Sequence, residues 1–164
     1  MKTLTMMKKM MMVAFMLTLA WNTMAVLDWT VLDPNNPAAL CSAHAINALP
    51  DGTMMLFAGN DEAQQPTNEY QKYSNNNWTE PVSPPNPPPA RKGHASWVSG
   101  NKVYYHGGKG ANQQTLNDLW YYDIDTDSWA QEQVTGSKPS PREGHLANKL
   151  ADGTVIITGG KDCE

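Results

Sequence analysis

Four sets of side chains in this 164-residue chain have the types and spacing for chemistry. His44, His94 and His145 stand 50 and 51 residues apart. Imidazole nitrogens hold zinc at about 2.0–2.1 Å, so a metal site is the first chemistry to weigh. Asp123-x-Asp125-x-Asp127 has the alternating carboxylates that open a calcium loop. Gly107-Gly108-Lys109-Gly110 is rich enough in glycine to bring backbone amides near a phosphate. Cys41 and Cys163 are the two thiols.

Spacing argues against most of these. Packed sheets lie about 10 Å apart, so residues that recur once per repeat cannot all reach one ion. The histidines read instead as structural groups that hydrogen-bond a neighbouring repeat. The aspartate run lacks the following Gly and the distal Glu of a calcium motif, and Asp favours turns. No helix follows the glycine run to aim amides at an anion. No His or Cys sits at ligand spacing beside either cysteine. There is no nucleophile elbow and no marked general base. No catalytic, cofactor-binding or metal-binding residue is assigned, and no cofactor is expected.

The N-terminus reads as an address. Residues 1–25 hold 8 of the 10 Met, with Lys2, Lys8 and Lys9 and no acid. An apolar stretch, MMMVAFMLTLA, precedes Thr23-Met24-Ala25. That is the layout of a signal peptide cleaved after Ala25, and too short for an ordinary membrane span. The expected location is secreted, extracellular, periplasmic or in the endomembrane lumen, with no membrane contact after cleavage. In an oxidising compartment Cys41 and Cys163 could form a disulfide; two unpaired thiols are the alternative. Asn77-Trp78-Thr79 fits an N-glycosylation acceptor. The remaining residues carry 9 Lys and Arg against 16 Asp and Glu, without a basic run. Nucleic acid is therefore not an expected partner, because phosphate contacts need clustered cations.

The elements that must position these residues repeat. Trp78 and Trp129 are 51 residues apart, and Tyr73 and Tyr122 are 49 apart. Trp29 precedes His44 by 15 residues, while Trp78 and Trp129 precede their histidines by 16. A period near 50 residues is the signature of a repeat architecture. In the second repeat, strands are predicted at 94–99, 102–106, 119–122 and 128–133. In the first they fall at 44–49, 53–58, 70–74 and 78–82. The third offers 145–150 and 154–158. Gly100-Asn101, Asp51-Gly52, Asn75-Asn76 and Asp152-Gly153 supply turns. The second strand of each repeat is expected to stop at a glycine pair: Gly59 after Ala58, Gly107-Gly108, and Gly159-Gly160. PPNPPP, residues 84–89, reads as a stiff polyproline connector.

These marks resemble the kelch repeat of β-propellers. The second repeat carries the likeness best, through Arg91, Gly93-His94, Gly107-Gly108, Leu116-Asn117-Asp118-Leu119-Trp120, Tyr122-Asp123 and Trp129. The link Pro139-Ser140-Pro141-Arg142-Glu143-Gly144-His145 is also of that kind. The first repeat departs from it at Ala58 and Ser74. The resemblance implies an all-β fold of four-stranded antiparallel blades. The layout is a leading strand in 26–42, a blade in 43–92, a second in 93–143 and the start of a third in 144–164. A propeller needs about 4–8 blades, so the ring is incomplete. A piece of a longer propeller, several copies closing one ring, or an open stack would each account for the count.

The functional expectation is a non-enzymatic module that binds a protein or glycan through its inter-strand loops, 60–69 and 109–118, and its connectors, 83–92 and 134–143. Self-association could complete the ring. A piece of a secreted, galactose-oxidase-like copper oxidase is the alternative. A repeat in a larger structural protein is a third reading. Fold alone does not decide among them.

Overall fold

The computed structural model describes residues 42–162. The 1–25 leader, Trp29, Cys41 and Cys163 lie outside the described residues, and with them the disulfide expectation.

The described residues are all β. The first blade holds β1 (Ala45–Ala48), β2 (Met54–Asn60), β3 (Pro66–Ser74) and β4 (Asn77–Thr79). A two-residue strand, β5 (Arg91–Lys92), leads into the second. That blade holds β6 (Ala95–Ser99), β7 (Lys102–Gly110), β8 (Thr115–Asp123) and β9 (Ser128–Gln131). A hairpin of β10 (Glu143–Lys149) and β11 (Val155–Lys161) opens a third. Every pairing is antiparallel, because each link is too short for a crossover. Two blades and a pair of strands are fewer than a closed propeller requires.

The repeat extends to atomic detail. Asp51 accepts from the Thr53 amide at 2.9 Å, and Asp152 does the same for Thr154. In both turns an amide three residues on returns to Leu49 or Leu150, at 3.0 Å. Asn75 and Asn76 both take positive φ, the backbone of a tight hairpin turn.

Three expectations need correction. First, the second strands do not stop at the glycine pair. β7 runs through Gly107-Gly108 to Gly110, and β8 pairs with it on both sides of a bulge between His106 and Gly108. β2 does the same between Phe57 and Gly59. The glycines bend the strand without ending it. Second, the loops are shorter than 60–69 and 109–118, since pairing continues past the bulge. They close as 61–65 and 111–114, each with matching amide bonds, Asp61 to Gln65 and Gly110 to Gln114, at 2.9 Å. Third, the proline link is not one polyproline helix. Asn86 sits at φ 58, which breaks it, and Pro84 and Pro88 are buried.

The blades are also stitched together. Arg91 pairs with Thr67 of β3 and with Gly110 of β7, so both blades share one nine-stranded hydrogen-bonded sheet. Between them lies the core. Met55, Phe57 and Tyr70 of the first blade meet Val103, Tyr105, Tyr122 and Trp129 of the second. Phe57 is its centre, 4.7 Å from Tyr105 and 4.8 Å from Trp129, ring to ring. Such aromatic pairs add about 0.5–1.5 kcal/mol each beyond the area they bury.

Candidate functional site

The repeat positions converge on the seams between repeats. Each histidine sits against the second glycine of its own repeat. A Cβ on Gly108 would stand 2.7 Å from the Lys92 carbonyl and 3.0 Å from the His94 Cβ. On Gly160 it would stand 2.8 Å from both the Glu143 carbonyl and the His145 Cβ, and on Gly59 it would stand 2.6 Å from the Ser42 carbonyl. No side chain fits there. The first glycine admits the next repeat instead. Gly107 has Arg142 and Leu116 carbonyls 2.9 Å from where its Cβ would be. Gly159 meets nothing within 4 Å.

His94 does not bond the neighbouring backbone as expected, whereas His145 meets it through the backbone of His106. His94 lies edge-on to Phe57 of the preceding blade, centroids 5.6 Å apart, with neither ring nitrogen hydrogen-bonded. Burial pushes its pKa down to about 3, helped by the nearby Arg91, His145 and His44. His145 meets His106, which stands at the register of Phe57. Their nitrogens, Nδ1 of His106 and Nε2 of His145, are 3.0 Å apart, so one ring donates and the other accepts. Burial and the facing imidazole push His106 down to about 4, against the pull of Asp118. His145 is lowered by burial and by Arg142, against the raising effect of its bond to the His106 backbone. His44 is exposed.

Trp129 and Tyr122 lie in the core, and Tyr122 donates to the Asp127 carboxylate. Trp78 and Tyr73 form the corresponding pair in the first blade, 5.2 Å apart and half-buried. Asn77 opens β4 opposite Ser74. The three aspartates of the second blade diverge. Asp123 accepts from the amides of Asp125 and Thr126, Asp125 from Asn101, and Asp127 faces Lys72. They build a turn.

Sequence reasoning missed the role of Arg91. It is fully buried, with Nη1 and Nη2 each 2.8 Å from an Asp118 oxygen, and it also donates to the Gly107 and Pro89 carbonyls. Burial works to raise the Asp118 carboxyl, but the Arg91 hydrogen bonds and charge outweigh it, and its pKa is lowered. The recurrence of Arg142 51 residues after Arg91 was the available signal.

Residues of β2, β5, β10 and β11, with Ala43 and Gly93, line an open cleft of about 520 Å³. Successive repeats bond along it, Gly93 to the Ala43 carbonyl at 2.9 Å and Gly144 to the Gly93 carbonyl at 2.7 Å. Lys92, Lys161 and Glu143 give it charge. Glu143 is shared by Lys161 at 3.4 Å and Lys109 at 3.9 Å. With two lysines against one glutamate, the cleft lining carries a net positive charge.

The sequence profile of the KLHDC2/KLHL20/DRC7 Kelch-repeats domain matches residues 10–164. The chain belongs to the kelch-repeat family. It is 31% identical over 124 residues to the Rab9 effector protein with kelch motifs of Mus musculus, covering 73% of this chain and 30% of that protein. It is 29% identical over 113 residues to the Rho GTPase-activating protein gacHH of Dictyostelium discoideum, covering 66% and 7%. It is 33% identical over 75 residues to dynein regulatory complex subunit 7 of Chlamydomonas reinhardtii, covering 44% and 6%. The chain thus spans less than a third of each of these relatives' lengths.

These kelch relatives correct the expected location. A Rab9 effector and a dynein regulatory complex subunit work inside cells, so the secreted, periplasmic or lumenal assignment is withdrawn. The copper-oxidase alternative finds no support among them.

Proposed function

We propose that this kelch module is a non-catalytic protein-interaction scaffold that receives an acidic surface of a partner protein at the cationic cleft. The observation that carries the reading is a cleft lined by two lysines, Lys92 and Lys161, and one acid, Glu143, whose carboxylate is already engaged by Lys161 and Lys109. Hairpins 61–65 and 111–114 leave the strands just past Asn60 and Gly110, at this same end, and supply further contact surface. The names of the relatives, an effector and a complex subunit, fit a module that works by docking. The buried histidines are held neutral in the seams and face one another or the core, which suits structure rather than proton transfer.

Charge reversal tests it. A partner is first identified by in-cell crosslinking and then titrated against the purified chain. Lys92→Glu with Lys161→Glu should weaken binding by about tenfold or more and remove most of its salt dependence. Unchanged affinity in that variant would sink the reading.

A further inference from the structure

Each repeat begins with one cross-strand pair beside the cleft, formed by the residue two positions before its histidine. In the first repeat the pair is Ser42 and Asn60, with the Asn60 amide donating to the Ser42 carbonyl at 2.8 Å. In the third it is Glu143 and Lys161, an ion pair at 3.4 Å. In the second it is Lys92 and Lys109. Directly opposite residues share one face of the sheet, with Cβ atoms about 4.5–5.5 Å apart, and like charges there repel. The backbone at this position accepts a neutral pair and an opposite-charge pair, yet the second repeat carries the costly one.

Among the described residues that cost is not cancelled. Glu143 is the one carboxylate in the cleft lining, and Lys161 and Lys109 already divide it, at 3.4 Å and 3.9 Å. Lys92 lines the cleft and has no ion-pair partner among the described residues. The rest of the lining, Ala43, Asn60, Gly93, Gly144 and Gly160, carries no charge. Lys92, Lys109 and Lys161 against Glu143 make three positive charges less one negative, a local +2. A further carboxylate would neutralise one of these. A phosphate monoester carries about −1.5 to −2 at neutral pH and offers three acceptor oxygens, so it can bridge two ammonium groups and bring the local charge close to zero.

The surroundings suit a peptide. Gln64, Gln65, Asn112 and Gln113 are exposed in the hairpins at this end. Their amides both donate and accept, as the main chain beside a phosphorylated residue requires.

We propose that Lys92 and Lys109 form a binding pair for a phosphorylated side chain of the partner protein, a site that rests on the docking function above and narrows its acidic surface to a phosphate.

The probes are short fluorescein-labelled Gly-Ser peptides with a central phosphoserine, glutamate or alanine, titrated against the full chain by anisotropy. The phosphoserine peptide should bind about tenfold more tightly than the glutamate peptide, the factor for one added charge-assisted hydrogen bond. Its affinity should fall several-fold between about pH 7.5 and about 5.5, as the phosphate loses its second charge near pH 6, while the glutamate peptide stays ionised throughout. Lys109→Gln should weaken phosphoserine binding about tenfold. Lys92→Glu, which copies the Glu143–Lys161 pairing into the second repeat, should abolish the preference for phosphoserine. It should also leave the urea midpoint unchanged or raised, so that a folding defect cannot mimic the loss. Equal binding of the phosphoserine and glutamate peptides would overturn the phosphate site and leave the acidic-partner reading standing. Binding of neither peptide would overturn the site as well, and the acidic-partner reading would then be decided by charge reversal against the crosslinked partner. Tighter, Lys92-dependent binding to vesicles containing phosphatidylinositol phosphate would assign the pair to a lipid headgroup and overturn the protein source.

Discussion

The two seams share one backbone plan and are filled differently. Between the complete blades, Phe57, Tyr70, Tyr105, Tyr122 and Trp129 form an aromatic core, with Arg91 sealed against Asp118. Between the second blade and β10–β11, the Phe57 position holds His106, Arg142 pairs with no carboxylate among the described residues, and a cavity of about 290 Å³ lies beside His106. Outward-facing Leu146 and Ile156 are 66% and 47% exposed, against 8% and 0% for Ala45 and Met55 at the same register. The difference teaches that the repeat's backbone bonds and glycine pairs set the blade-to-blade spacing, while third and fourth strands supply the packing.

Removing rings should therefore hurt the first seam most. Phe57→Ala and Trp129→Ala should each cost ~3–5 kcal/mol in urea unfolding, since the site cannot collapse around so large a void. His106→Phe, which copies the first seam into the second, should cost less than ~1.5 kcal/mol. Equal losses at Phe57 and His106 would break the contrast.

The arginines sharpen it. Arg91→Ala strands the partly buried Asp118 carboxylate and should cost ~3 kcal/mol or more. Arg142→Ala removes a half-buried group bonded to Ser140 and Gly159, and should cost less than ~1 kcal/mol. Similar costs would mean that Arg142 is held by a carboxylate after all.

Acid should act on both seams. His94 and His106 titrate at about 3 and about 4 in the folded chain, against an ordinary 6.5. Between those values the unfolded chain binds more protons, so stability is full above pH 6.5 and is lost as pH falls toward about 4. For His106 the gap, 6.5 less about 4, sets an upper bound of ~3.4 kcal/mol. His106→Phe should flatten the slope of urea midpoint against pH in that window. A slope left intact by His94→Phe and His106→Phe would assign the acid loss elsewhere. Asp118 cannot supply it, because its lowered carboxyl acts only below its ordinary 3.8.

Much of this was legible in the sequence. Alternating apolar residues and Asp-Gly or Asn-Asn turns placed the strands, and the spacing of His94 and Gly107-Gly108 pointed to the repeat. Arg91–Lys92 left no trace as a strand, because two residues between a proline run and a glycine carry no period. His106 was passed over because it recurs in no other repeat. The Arg91–Asp118 pair spans 27 residues, and only folding brings it together. The location was misread because an N-terminal pattern outweighed the family, whose named members work inside cells.

The smallest expected effect is at Ala58, which stands where the other repeats have the first glycine of the pair. Gly107 takes φ +61 and has two carbonyls 2.9 Å from where a methyl would sit, so Gly107→Ala should cost ~2 kcal/mol. Ala58 holds the same place in the first blade at φ +57, buried among the core side chains. That left-handed conformation costs an L-residue ~1–2 kcal/mol, which glycine would recover. Glycine would also lose a buried methyl, ~0.8 kcal/mol, and gain freedom when unfolded, ~0.4–1 kcal/mol. The terms nearly cancel, so Ala58→Gly should move stability by less than ~1 kcal/mol in either direction. A cost above ~2 kcal/mol would show that the Ala58 methyl is a packed member of the aromatic seam. The departure from diglycine in the first blade would then be a trade of backbone ease for packing, available only where a full blade follows.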